Sequence, residues 1–309
     1  MARRMQVAGR TQVAFAVDPD QGLAERDELD LVRLGAELGY AAAWTPSGAD
    51  AAAFDRCLRW HAASGLAVGI SAVPASGQPA AFYAEHARRA WEGTGGRFTL
   101  AVGSGRMEHA ADGMRRYLAD LRALLPPELP LYVAALGPLM LRVSAELADG
   151  VALNWCTAAQ VAWSRERVAA AAGPVDRPVP ALVEYIRTAV DPDPGAARAT
   201  LGAAVRRYAL APPAYRRHFE RMGFADELRR VGEHGADWDP AFLWAVGAWG
   251  APGSVRDQVE RLAGGLDLPI VRVLVPRRGD AASARLVLEE CAPRRPETGD
   301  GPTGLSPQG

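Results

Sequence analysis

The sequence predicts an α/β fold: a (β/α)8 TIM barrel with a helical insertion between its last two strands. Three observations carry this. Apolar strand-like runs alternate with helix-compatible runs along nearly the whole chain. Several of the runs are apolar almost without interruption, the pattern of parallel strands covered on both faces. About eight such runs within 309 residues fit a closed barrel better than an open doubly wound sheet.

The elements follow in order. Residues 12–17 read as the first strand, and Leu31, Leu34 and Leu38 then recur at helical spacing behind the acidic first turn of Glu25, Asp27 and Glu28. Residues 40–45 form the second strand and 51–64 a helix; 66–73 is a third, almost wholly apolar strand, followed by a helix over 79–92 with proline in its first turn. Strands at 98–102, 131–134, 151–153 and 182–190 come next, and 270–275 is the last. The stretch 191–269 is far longer than a usual βα connection and holds a helix over 194–210 and many aromatic residues, among them Tyr215, Phe219, Trp238, Trp244 and Trp249. Residues 1–292 are thus one domain with its insertion at about 191–269, and the Pro- and Gly-rich stretch 293–309 reads as a disordered tail.

Composition narrows the chemistry. A net charge of −1 argues against nucleic-acid or membrane-surface binding through bulk electrostatics. All 35 basic residues are arginine, so Schiff-base lysine chemistry and a P-loop lysine are excluded, and any anion clamp must use guanidinium forks or backbone N–H groups. Cys57, Cys156 and Cys291 show no metal or redox spacing, which points to a reducing cytoplasmic setting. No metal-binding motif, nucleophile elbow or membrane-length apolar run occurs.

Two segments stand out. Gly103-Ser104-Gly105 follows the fourth strand, where backbone N–H groups can meet a ligand with no Cβ in the way. Arg106-Met107-Glu108 lacks the third glycine and no acidic ribose ligand ends a following strand, which argues against a dinucleotide fingerprint here. Ala134-Ala135-Leu136-Gly137-Pro138 leads from the fifth strand into a helix whose free N–H groups and dipole suit an anion, although the same residues also make an ordinary barrel turn. Asn154, the single asparagine of the chain, ends the sixth strand on the face where barrel active sites lie.

In order and spacing these segments resemble the luciferase-like flavin-dependent oxidoreductases, and within them the branch that uses the deazaflavin coenzyme F420, from about Thr11 to Pro276. The resemblance implies a cis peptide at Ser71–Ala72 supporting the middle ring of the cofactor. It places Gly103, Ser104 and Gly105 beside the ring, and sets the cofactor phosphate at Ala134, Ala135, Leu136, Gly137 and Pro138, with Asn154 nearby.

One departure matters. Where the family commonly has an Asp-His pair after the second strand, this chain has Ser47 and Gly48, so a histidine acid from that loop is missing and Ser47 becomes a candidate substrate contact. Candidate proton donors elsewhere are Glu108, His109, Glu184, Tyr185 and His218, and Trp244 and Trp249 are candidate substrate walls from the insertion. The expectation is an F420H2-dependent reductase, a cytoplasmic homodimer acting on a C=C or C=N bond of a small, partly apolar molecule, for example a pyrroline-type intermediate of specialised-metabolite biosynthesis. An FMN-dependent monooxygenase and a catalytically silent flavin- or metabolite-binding barrel remain as alternatives.

Overall fold

The structure, a computed structural model, describes residues 12–210 and 213–294. The expected tail from 295 onward and the N-terminal stretch through Thr11 lie outside them.

Among the described residues there are nine parallel strands: β1 (Ala14–Ala16), β2 (Ala42–Thr45), β3 (Ala67–Pro74), β4 (Phe98–Gly103), β5 (Leu131–Ala134), β6 (Gly150–Asn154), β7 (Ala181–Val190), β8 (Ala248–Gly250) and β9 (Leu268–Leu274). The helices are α1 (Glu25–Glu37), α2 (Ala52–Ser64), α3 (Ala80–Gly93), α4 (Ala110–Leu124), α5 (Pro138–Leu147), α6 (Ala158–Ala172), α7 (Pro194–Ala209), α8 (Pro213–Arg221), α9 (Ala225–His234), α10 (Pro240–Val246), α11 (Arg256–Ala263) and α12 (Ala281–Glu290). Strands β1 to β7 pair in sequence, β7 pairs with β9, and β9 pairs with β1, closing an eight-stranded barrel. The ninth strand, β8, sits outside that ring and continues the far end of β7, with Ala248 opposite Thr188 and Gly250 opposite Val190. Three residues carry no readable period, so β8 had no signal in the sequence. The segment between β7 and β9 contains α7 to α11 and β8.

Strand alternation divides the core. Outward residues such as Phe15, Val68, Leu100, Val133, Val151, Ile186 and Val271 pack under the helices in one large cluster. Inward residues fill the barrel with Ala14, Ala16, Ala42, Ala101 and Ala152 around the larger Trp44, Tyr185 and Ile270. Room for the big rings comes from glycine: a methyl at Gly69 would lie 2.6 Å from Trp44, and one at Gly150 would lie 2.5 Å from Tyr132. The insertion has its own apolar cluster, including Leu201, Val205, Phe219, Leu228, Val231, Trp238 and Phe242, which joins the barrel through Trp155, Ala189 and Leu274. Among the described residues, no helix is long and apolar enough to cross a membrane.

Candidate active site

The carboxyl ends of the strands build the site. On β3, β4 and β5 the inward row ends in Ala72, Gly103 and Ala134. A methyl at Gly103 would sit 3.4 Å from the Ala134 Cβ and 3.7 Å from the Ala72 Cβ, so three neighbouring strands present nothing larger than a methyl group. The result is a smooth ledge that a planar ring can approach and that any larger side chain at 103 would fill. The Ser71–Ala72 peptide is cis, as the family resemblance implies, and the β3–β4 register shifts between Ile70 and Val73. Beyond the ledge Gly105 turns with φ +62°, and a Cβ there would lie 2.4 Å from Ser76 Oγ, so glycine is required for the turn. Ser104 lies half-buried between the two glycines.

Next to the ledge is the start of α5. Gly137 is its N-cap in extended conformation with no side-chain cap, and Pro138 follows at the first helical position. The N–H groups of Leu139 and Met140 have no intrahelical acceptor and stand at the positive end of the helix dipole. Ala135 is buried beneath the turn, and Leu136 accepts a 2.6 Å hydrogen bond from the Arg221 guanidinium of α8. That guanidinium would lie 3.7 Å from a methyl at Gly137. Free N–H groups and an arginine head therefore share one spot, a suitable seat for an anionic oxygen.

On the other side of the mouth is a buried polar cluster. Asp18, just past β1, forms a hydrogen-bonded ion pair with Arg272 of β9. Burial pushes the Asp18 carboxyl up, but the Arg272 guanidinium outweighs this and holds it below the usual carboxylate value. Arg272 lies over the Tyr185 ring, 4.9 Å from its centroid. Arg187, two residues further along β7, donates a 2.5 Å hydrogen bond to Asn154 Oδ1, and Asn154 Nδ2 donates at 2.6 Å to the Tyr215 hydroxyl of α8. Tyr215 meets Tyr208 of α7 edge-on, with centroids 4.8 Å apart. Burial pushes the Tyr208 phenol up, yet the two guanidiniums bring it below its ordinary value. Four buried atoms on inward strand positions, Trp44 Nε1, Tyr185 Oη, Arg187 NH2 and Arg272 Nε, find no partner in the protein.

The remaining candidates lie elsewhere. Glu184 faces outward from β7 and accepts a 2.6 Å hydrogen bond from the Cys156 N–H; burial pushes it up to about 8. His218 is fully buried beside them, with Nε2 3.1 Å from the Trp155 carbonyl and Nδ1 3.3 Å from Arg221. These partners make Nε2–H the donor and Nδ1 the acceptor, so the ring is a neutral strut between α8 and the β6–α6 turn. Glu108 and His109 are exposed on the loop before α4, where His109 adopts φ 46°. Ser47 donates its hydroxyl to the Gly48 carbonyl at 2.9 Å. Trp244 and Trp249 stack with centroids 5.4 Å apart, and their backbones bond to Arg261 and Gln258 of α11. Trp244 is exposed, whereas Trp249 packs into the apolar cluster of the insertion at the register of Ala189 on β7, and Tyr215 of the insertion reaches Asn154 with Tyr208 packed against it.

Arg187, Arg272, Asp18 and Tyr208 escaped the sequence reading, although a signal existed for the two arginines. A charge in the middle of an otherwise apolar strand must point to a partner or a ligand.

A family model described as luciferase-like monooxygenase matches residues 107–267. No curated protein sequence matches the chain. Among solved structures, the coenzyme F420-dependent tetrahydromethanopterin reductase from Methanopyrus kandleri superposes with a TM-score of 0.72 at 16% identity, over 90% of this chain and 98% of the other. An F420-dependent secondary alcohol dehydrogenase in complex with an F420–acetone adduct gives 0.72 at 13% identity over 92% and 98%. The oxygenating constituent of 3,6-diketocamphane monooxygenase from the CAM plasmid of Pseudomonas putida, in complex with FMN, gives 0.63 at 14% over 92% and 100%.

Proposed function

The chain belongs to the luciferase-like monooxygenase family, and from that premise we propose that it is an F420-dependent oxidoreductase acting on a C=C or C=N bond of a small organic substrate. The observation that carries this reading is the ledge of Ala72, Gly103 and Ala134 set beside the start of α5. A flat tricyclic ring and a phosphate on a short tether need these two features side by side, and the residues present fit them. When bound, the deazaflavin supplies hydride at one ring carbon without activating oxygen.

The protein's own part is to bind, orient and protonate. The ledge positions the ring face, while the Leu139 and Met140 N–H groups and Arg221 hold the phosphate. To the half-buried Tyr208, whose ring lies against the Arg187 guanidinium, falls the proton that the Ser47–Gly48 loop has no histidine to supply.

Titration of the purified protein with F420, followed by cofactor fluorescence, tests the reading against a parallel FMN titration followed by absorbance. F420 should bind and FMN should not. Gly103→Val should keep the fold and weaken F420 binding at least tenfold, about 1.4 kcal/mol. FMN binding in place of F420 would replace the proposal with flavin monooxygenation, and binding of neither would refute both.

A further inference from the structure

Arg187 is in an unusual position for a cation. It is 1% exposed, its guanidinium carbon lies 3.9 Å from the Trp155 ring centroid and 4.8 Å from that of Tyr208, and Trp155 holds its place with φ 58°. NH1 is bonded to the neutral Asn154 amide, and NH2 is buried with no protein partner. Among the described residues no carboxylate forms an ion pair with it. Asp18 is committed to Arg272. Glu184 faces the other side of β7, where burial pushes its carboxyl up to about 8 and favours the neutral acid. Burial and the neighbouring Arg272 draw Arg187 down to about 10, which leaves it charged at neutral pH. Two guanidiniums therefore share the mouth with one carboxylate. A desolvated cation without a counter-charge is costly, and the cost is offset when an anion arrives.

We propose that the substrate of this site carries a carboxylate, and that Arg187 receives it through its free NH2 edge. Tyr185, the preceding inward residue of β7, has a buried hydroxyl without a partner and offers a second donor on the same row. The guanidinium carbon lies against the rings of Trp155 and Tyr208, so the buried NH2 edge is the part left without a protein partner. A planar carboxylate suits such an edge, and the apolar remainder of the substrate meets aromatic walls. The inference rests on the oxidoreductase reading for the word substrate. An anionic oxygen of the cofactor would have the same chemistry, and the experiment separates the two sources.

Benzoate and benzamide are probes of one shape and different charge. Each is titrated into the cofactor-free protein, followed by tryptophan fluorescence and thermal unfolding, and F420 is titrated separately. Benzoate should raise the Tm and perturb the fluorescence, while benzamide at the same concentration should do neither. Arg187→Met should weaken benzoate at least tenfold, leave F420 affinity within twofold, and unfold at a Tm no lower than wild type, because it removes an unpaired buried charge. A purely structural arginine would lower the Tm on removal, which would overturn the proposal. Arg187→Gln, which removes the charge but keeps a donor, is read by the same titrations and should likewise weaken benzoate at least tenfold. Equal responses to the two probes, no response to either, or a benzoate response that survives in the variant would each refute the carboxylate site. Loss of F420 affinity with benzoate binding intact would assign Arg187 to the cofactor. Should F420 fail to bind while benzoate still requires Arg187, the cofactor assignment falls and the anion site stands.

Discussion

Tyr208 and His218 show how neighbours decide what a side chain does. Tyr208 is half-buried beside two guanidiniums, which favour its phenolate and make it the stronger acid. Tyr208→Phe should slow single-turnover deazaflavin oxidation by roughly a hundredfold with cofactor binding unchanged; a rate within threefold of wild type would remove it from the mechanism. His218 is the opposite case. Burial, reinforced by Arg221, brings it down to about 4 from its ordinary 6.5, so the folded protein prefers the neutral ring. Its contribution to stability is complete above pH 6.5, declines as pH falls through that value, and is gone near pH 4, a loss of about 3 kcal/mol. Chemical denaturation between pH 7.5 and 4 should show this slope in wild type and its absence in His218→Gln, which keeps a donor for the Trp155 carbonyl.

At the level of the element, the start of α5 is the most consequential feature. Its N-cap glycine has no side chain to satisfy the first N–H groups, and Arg221 reaches across from α8 to the same spot. Gly137→Asp would place a carboxylate beside that guanidinium and cap the helix itself. It should therefore raise or preserve stability while weakening F420 at least tenfold; undiminished affinity in a folded variant would move the phosphate elsewhere. The helix and its glycine were legible in the sequence because a Gly-Pro pair behind an apolar run has one local meaning. Arg221 was not, since its approach depends on how α8 folds back over the barrel.

For the molecule as a whole, closure of the barrel depends on the seam between β1 and β9, which the Asp18–Arg272 pair fastens at its upper end. Asp18→Asn would leave Arg272 buried beside Arg187 with no counter-charge, and should cost about 3–5 kcal/mol in urea unfolding at neutral pH. Because the pair holds the Asp18 carboxyl below 3.8, wild type keeps this advantage above that pH and loses it as pH falls through the folded value. The difference between the two proteins should therefore shrink in strong acid. A difference below 1 kcal/mol at pH 7 would mean the seam rests on packing alone.

By itself the sequence determined the barrel, its eight strands, the insertion and the glycine-lined turns. All of these follow from periodicity and from backbone conformations that only neighbouring residues set. It also put Asn154 at the end of the sixth strand, since the end of a strand is a local property. Which side chains meet Asn154 was decided by the tertiary structure. Arg187 and Tyr215 meet it, with Tyr208 packed against both, and they come from a strand and two helices of different sequence distance. Trp244 and Trp249 belong to the same insertion and stack on each other, yet Trp244 is exposed while Trp249 packs into the apolar cluster. Aromatic character gives each residue a reason to be buried but no direction, and direction comes from the helix packing that folds the insertion onto the barrel.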